Sequence, residues 1–161
     1  VEALPQLRQA HPQLKLALVG QTDVFGAELT ELAKREGVAE AVVMPGFVSD
    51  QELAAYYQHA KLYVFPSLSE GFGLPGLEAM ANGVPVAAAK ASCLPEIYGD
   101  AAAYFNPRET TDIARVISGL LSSPKQLDAL RQAGLKRVKW FSWKRMAEQT
   151  LALYKNVLRD S

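Results

Sequence analysis

Two glutamates, Glu70 and Glu78, bracket the run Gly71-Phe-Gly-Leu-Pro-Gly-Leu77. Carboxylates are strong hydrogen-bond acceptors, suited to the hydroxyl groups of a sugar. Gly71 and Gly73 let the backbone come close to a ligand and adopt positive φ. Pro75 suits the first turn of a helix. The free N–H groups at a helix start, reinforced by its dipole, suit a diphosphate. These residue types describe a seat for an anionic, polyhydroxylated ligand at a strand-to-helix turn. A plainer reading stands beside it: Gly-x-Gly between strand and helix is common in α/β proteins, and an acid in a first helical turn often only matches the dipole. The run is neither the Gly-x-Gly-x-x-Gly dinucleotide fingerprint nor a Walker loop, since no Gly-Lys-Ser/Thr follows.

The elements that must hold this turn are legible as an alternation. Short apolar runs at residues 14–19, 41–44, 62–65, 84–88 and 102–105 lack strict polar alternation and read as parallel strands covered on both faces. Between them lie segments of helical period. Residues 25–36 place Leu29, Leu32 and Ala33 on one face, and residues 50–59 group Leu53, Ala54 and Tyr57 behind a cap at Ser49 or Asp50. A short helix over 78–82 opens at Pro75 and closes near Gly83. From about residue 110 the pattern is helical only: Thr110 or Thr111 caps one helix to about Leu121, Pro124 opens another, and Ser142 caps an amphipathic helix to about Leu158. Strands alternating with helices imply right-handed crossovers and a doubly wound parallel sheet, with ligands beyond the carboxyl ends of the strands. The loops after Val19, Met44, Phe65 and Ala88 are therefore the places to look.

The chain of 161 residues is long enough for one domain with its own core, and residues 1–161 read as one unit without linker or repeat. Lysine plus arginine equal aspartate plus glutamate at 17 each, so the chain carries no general footprint for nucleic acid. Cys93 is the one cysteine, which rules out an internal disulfide and a cysteine zinc cluster. No apolar run approaches the roughly 20 residues that span a bilayer, and the start is not a signal peptide. A soluble, cytoplasmic domain is the expectation.

Several ordered motifs carry a resemblance. Glu70-Gly-Phe-Gly-Leu-Pro-Gly-Leu-Glu78 resembles the Glu-x7-Glu motif of retaining GT-B glycosyltransferases of the family-4 (glycosyl transferases group 1) type. Leu18-Val-Gly20, Gly46-Phe-Val-Ser-Asp50 with Glu52-Leu53, Asn82-Gly-Val-Pro-Val86, Leu94-Pro-Glu-Ile97, Gly99-Asp100 with Asn106-Pro107, and Phe141-Ser-Trp143 are similar to further segments of that family in order and spacing. The resemblance spans residues 5–158 and implies the Rossmann-like, C-terminal, donor-binding half of a GT-B fold. It implies transfer of a hexose, mannose or glucose, from a nucleotide diphosphate sugar to a glycan or lipid-linked acceptor in polysaccharide biosynthesis. By resemblance Glu70 contacts the donor sugar and serves as the catalytic-site carboxylate, positioning the donor rather than attacking it. Gly71 and the backbone amides around Phe72, Gly73 and Leu74 hold sugar and diphosphate, and Glu78 binds the ribose. Gly20 lies near the phosphates, and the backbone around Phe47 and Val48 lines the base pocket. Neither a metal nor a cofactor is implied.

The family pattern differs in two respects. A complete member has an N-terminal domain that brings the acceptor, and its donor domain opens with a strand and a Gly-Arg…Lys-Gly loop whose cations face the diphosphate. Neither is found in residues 1–161, so this half lacks the family's first strand. Two lost charge-assisted contacts of roughly 1.5–3 kcal/mol each imply weak donor binding and little transfer by these residues alone. The alternatives are a nonenzymatic nucleotide-sugar-binding or interaction module, and a related GT-B enzyme such as a glycogen synthase. Lys136, Arg137, Lys139, Lys144 and Arg145 surround Trp140, Phe141 and Trp143; they read either as peripheral contact with anionic lipid or as solvated cations around packed aromatics. The apolar residues of the last helix, Leu151, Leu153, Tyr154, Val157 and Leu158, favour self-association if uncovered. His11, His59 and Cys93 read as incidental to any chemistry.

Overall fold

The computed structural model describes residues 1–21 and 24–159. Its elements in chain order are α1 (Leu4–Ala10), β1 (Leu16–Val19), α2 (Val24–Arg35), β2 (Val42–Gly46), α3 (Asp50–His59), β3 (Tyr63–Phe65), α4 (Leu74–Ala81), β4 (Val86–Ala89), α5 (Leu94–Tyr98), β5 (Ala102–Phe105), α6 (Thr110–Leu121), α7 (Pro124–Arg137) and α8 (Trp143–Arg159). All five expected strands are present and every pairing is parallel. The expected helix ends hold within a few residues, except that α4 begins four residues earlier, at Leu74 rather than Glu78. The short helix α5 is not evident from periodicity, because five residues scarcely complete one turn.

Local chemistry accounts for the boundaries. Ser49 caps α3 through a reciprocal box: the Glu52 N–H donates to Ser49 Oγ at 3.3 Å, and the Ser49 N–H donates to Glu52 Oε2 at 2.8 Å. The Ser49 N–H, followed by the Ser49 hydroxyl, donates to the Glu52 carboxyl and holds it below its ordinary range. Ser123 caps α7 just before Pro124, and Ser142 Oγ accepts from the Arg145 N–H at 3.1 Å. The expected hydroxyl cap of α6 is absent. Glu109 occupies that position, and Asp112 in the first turn instead accepts from the Asn106 N–H at 2.7 Å.

The strands do not form one continuous sheet. β1 pairs only with β2, while β3, β4 and β5 form a second sheet with β4 central. β1 and β3 each keep one unpaired edge among the described residues. β4 is buried on both faces, its Val86 and three alanines letting helices approach closely. In β3, Val64 packs with Leu7, Ala114 and Ile117 from α1 and α6, whereas the Tyr63 ring lies 5.7 Å from that of Tyr57 on α3. Helices thus cover both faces, as a doubly wound arrangement requires.

Helix α1 joins the two sheets. Its Leu4 packs with Ala33, Val38 and Leu16 on the first sheet, while Ala3 and Leu7 pack on α6 above the second. His11 Nε2 lies 3.2 Å from Ser118 Oγ, and Thr110 Oγ1 donates to Glu2 Oε2 at 3.4 Å. His11 therefore belongs to this seam. His59 is the last residue of α3.

Candidate functional site

The loop from β3 to α4 turns on Gly73, whose φ of +91° is left-handed. Only glycine takes this conformation at little cost. The turn also leaves no room for a side chain. A Cβ at Gly73 would stand 2.6 Å from the Tyr98 hydroxyl and 2.7 Å from Leu94 Cδ2. At Gly76 a Cβ would overlap the Tyr98 hydroxyl and Cζ. Two of the run's glycines are thus required by what lies beneath them.

That floor is Tyr98 of α5. It is fully buried, and its hydroxyl donates to the Gly73 carbonyl at 2.6 Å. Burial pushes its phenol well above the ordinary tyrosine range, with the Gly76 backbone acting in the opposite sense. The phenol therefore stays protonated and remains a donor. With its carbonyl held from below, Gly73 directs the chain into α4, where the N–H groups of Gly73 and Leu74 have no acceptor within the helix. Pro75 has no N–H to leave unpaired.

Glu70 is half-buried at the start of this turn and Glu78 is exposed on α4. Among the described residues no hydrogen bond or ion pair engages the Glu70 carboxylate. Tyr57 is raised by burial and by the nearby Glu78 charge. Tyr63 is raised by burial and then by Tyr57, Tyr98, Glu78 and Glu70. Both carboxylates therefore act on one partly buried tyrosine, and the backbone of residues 71–77 runs between them in the chain. Phe72 stands above it, 40% exposed, its ring edge-on to Phe141 at 5.5 Å.

Gly20, Phe47 and Val48 form a second group at the carboxyl ends of β1 and β2. The Gly20 N–H donates to the Gly46 carbonyl at 3.2 Å, which draws those two loops together. Phe47 is 80% exposed beside them. The first sheet carries this group and the second sheet carries Glu70 to Glu78. No hydrogen bond joins the groups among the described residues. Two surface clefts of about 260 and 430 Å³ lie elsewhere, the first around Asn82 and Arg131 and the second between α1 and α6. The Glu70 to Glu78 turn forms a surface shelf, with Glu78 exposed, that neither of these clefts includes. Among the described residues no group of three or more His, Cys, Asp or Glu side chains could hold a metal ion, and no helix is long and apolar enough to cross a membrane.

Three contacts were not legible in the sequence. Tyr98 is one; Ser92 and Cys93, in the loop after β4, are the others. Ser92 Oγ donates to the Glu70 carbonyl at 2.9 Å and accepts from the Glu70 N–H at 3.2 Å; Cys93 Sγ donates to the same carbonyl at 3.2 Å. Cys93 is thus tied to the loop rather than incidental. Arg137 donates to the Ile97 and Glu96 carbonyls at 2.7 Å each and lies over Trp140 and Phe141. It is therefore an internal staple rather than a solvated cation. Nor do all the aromatics pack: Phe141 does, but Trp140 and Trp143 are 63% and 76% exposed. Helix α8 buries no residue.

Known proteins share the sequence pattern and the fold of this chain. The sequence profile described as "Glycosyl transferases group 1" matches residues 1–137. The MMP alpha-(1->4)-mannosyltransferase of Mycolicibacterium hassiacum is 38% identical over 148 residues, covering 89% of this chain and 34% of that protein. The C-terminal domain of a glycosyl transferase group 1 family protein from Francisella tularensis superposes with a TM-score of 0.75 at 30% identity, over 86% of this chain and 74% of that one. Anabaena HepE in complex with UDP and glucose gives a TM-score of 0.82 at 25% identity, over 96% of this chain and 43% of that one. The chain spans between about a fifth and two fifths of the length of the curated relatives it matches.

Proposed function

Because this chain belongs to the glycosyl transferases group 1 family, we propose that it is the donor-binding, C-terminal half of a retaining hexosyltransferase that uses a nucleotide diphosphate sugar. The observation that carries the reading is the left-handed Gly73 turn, held from below by Tyr98 and flanked by Glu70 and Glu78. Its backbone N–H groups suit the diphosphate, and the two carboxylates suit hydroxyls on either side of it. Glu70 accepts from the donor sugar and orients it for transfer. Glu78 accepts from the ribose. Gly20 approaches the phosphates, while the backbone of Phe47 and Val48 borders the base.

Mannose or glucose is the sugar class favoured by this reading. A mannosyltransferase is among the relatives, and a neighbour of the same fold was solved with UDP and glucose. The acceptor, a glycan or lipid-linked sugar, is brought by an N-terminal domain against which the exposed face of α8 can pack. The setting is cytoplasmic, with peripheral contact to membrane where the acceptor is lipid-linked. The scheme invokes neither a metal nor a cofactor.

The test is calorimetric titration with UDP-glucose, GDP-mannose, ADP-glucose and NAD, repeated on Glu78→Ala. Saturable binding of one sugar nucleotide is expected, with a loss of about 10- to 100-fold in the variant. That range corresponds to one hydrogen bond to a charged acceptor at about 1.5–3 kcal/mol. A folded chain that binds none of the sugar nucleotides would refute the donor-site reading, and binding of NAD instead would reassign it.

A further inference from the structure

We propose that Ser92 is a positioning residue for Glu70, fixing the base of the carboxylate that meets the donor sugar; this rests on the donor-binding reading above. Ser92 lies in the loop after β4, on a different strand connection from the one that carries Glu70. Its φ of +52° is the one left-handed value at a non-glycine residue among the described positions. A side chain in that region carries a conformational cost and persists where the surroundings hold it. Glycine would fit the backbone at lower cost, so the side chain must offer something that glycine lacks.

What it offers is the oxygen. Ser92 Oγ gives its hydrogen to the Glu70 carbonyl at 2.9 Å and receives one from the Glu70 N–H at 3.2 Å. A single hydroxyl thereby satisfies both backbone polar groups of a residue that lies outside any helix or strand. Cys93 Sγ adds a weaker bond to the same carbonyl. The peptide units on both sides of the Glu70 Cα are pinned, while its carboxylate makes no internal bond among the described residues. A fixed Cα with an unengaged carboxylate is what presentation to a ligand requires. Fixing it in advance also reduces the ordering cost that binding would otherwise carry.

The experiment compares the parent chain with Ser92→Gly and Ser92→Ala. Glycine removes the hydroxyl but relieves the left-handed backbone, so this variant is expected to melt at the same temperature as the parent or higher. Its affinity for GDP-mannose or UDP-glucose, whichever the parent binds, is expected to fall about tenfold, the equivalent of one or two neutral hydrogen bonds. The Glu70 amide is expected to exchange with solvent several-fold faster, without change at amides in β4. A residue that mattered only for stability would move affinity and melting temperature together, so their separation is the diagnostic. Ser92→Ala, which keeps the backbone cost, is expected to lose both. If the parent binds a sugar nucleotide and Ser92→Gly binds it equally well, the role of Ser92 is overturned alone. Unchanged exchange at Glu70 overturns it as well. If the parent binds neither nucleotide, the donor-site reading falls and this role falls with it.

Discussion

Gly76→Ala sets two effects of opposite sign against each other. Gly76 sits in the first turn of α4, where replacing glycine by alanine ordinarily gains about 0.8–1 kcal/mol. Here the added methyl would overlap the Tyr98 hydroxyl and Cζ. Tyr98 is fully buried and has no solvent into which to retreat. Overpacking of this kind costs about 1–3 kcal/mol. Displacing the ring also breaks the bond to the Gly73 carbonyl, which adds about 1 kcal/mol. The clash should win, leaving a net loss of about 2 kcal/mol, or roughly 4–8 °C in melting temperature for a chain of this size. Gly119→Ala is the matched control. That residue lies exposed in α6, and a Cβ there meets nothing within 4 Å. The same substitution should raise the melting temperature there by roughly 1–4 °C. Thermal unfolding followed by circular dichroism reads both. A Gly76→Ala chain as stable as its parent would show that Tyr98 can yield, and the account of a loop held rigidly from below would fail.

Acid stability should depend on Asp112. The Asn106 N–H, followed by the Arg115 guanidinium, holds its carboxyl below the ordinary aspartate range. A carboxyl lowered on folding stabilises fully above its unfolded value near 3.9 and loses that contribution as the pH falls through its folded value. The difference in melting temperature between the parent and Asp112→Asn should therefore stay constant from pH 5 to 8 and narrow below about pH 4. A gap that is unchanged at low pH would contradict this. Arg137→Lys should cost about 1–2 kcal/mol, because an ammonium cannot reproduce the fork onto the Glu96 and Ile97 carbonyls. Chemical denaturation reads that loss, and a lysine variant of parental stability would remove Arg137 from its stapling role.

The strands and long helices were legible because burial on both faces demands uninterrupted apolar runs and because helical periodicity survives over ten or more residues. The Glu70 to Glu78 turn was legible for a related reason: glycine, proline and acid side chains carry their conformational and chemical demands in their identity. What supports that turn was not. Tyr98 reads as one more apolar residue in a short segment, and its hydrogen bond spans 25 positions of sequence. Ser92 is a serine in a loop, and nothing in its type announces a left-handed backbone or a partner on another strand. The broken sheet is likewise a matter of pairing. Apolar runs show which residues form strands, but they do not show which strands lie side by side.

A sheet in two pieces also has two clocks. Ladder hydrogen bonds transmit cooperativity along a sheet, and here none passes from β1 to β3. The β1–α2–β2 unit can open by parting at α1 and α6 while the β3–β4–β5 ladder stays closed. Amides of Leu16–Val19 and Val42–Gly46 are then released from protection by a sub-global opening, and those of Val86–Ala89 only by global unfolding. Gly20, Phe47 and Val48 ride on the first unit, which should exchange faster, and Glu70 to Glu78 on the second. A ligand that touched both would merge the two exchange populations into one, so the act of binding would be recorded far from the shelf, in the protons of β1 and β2.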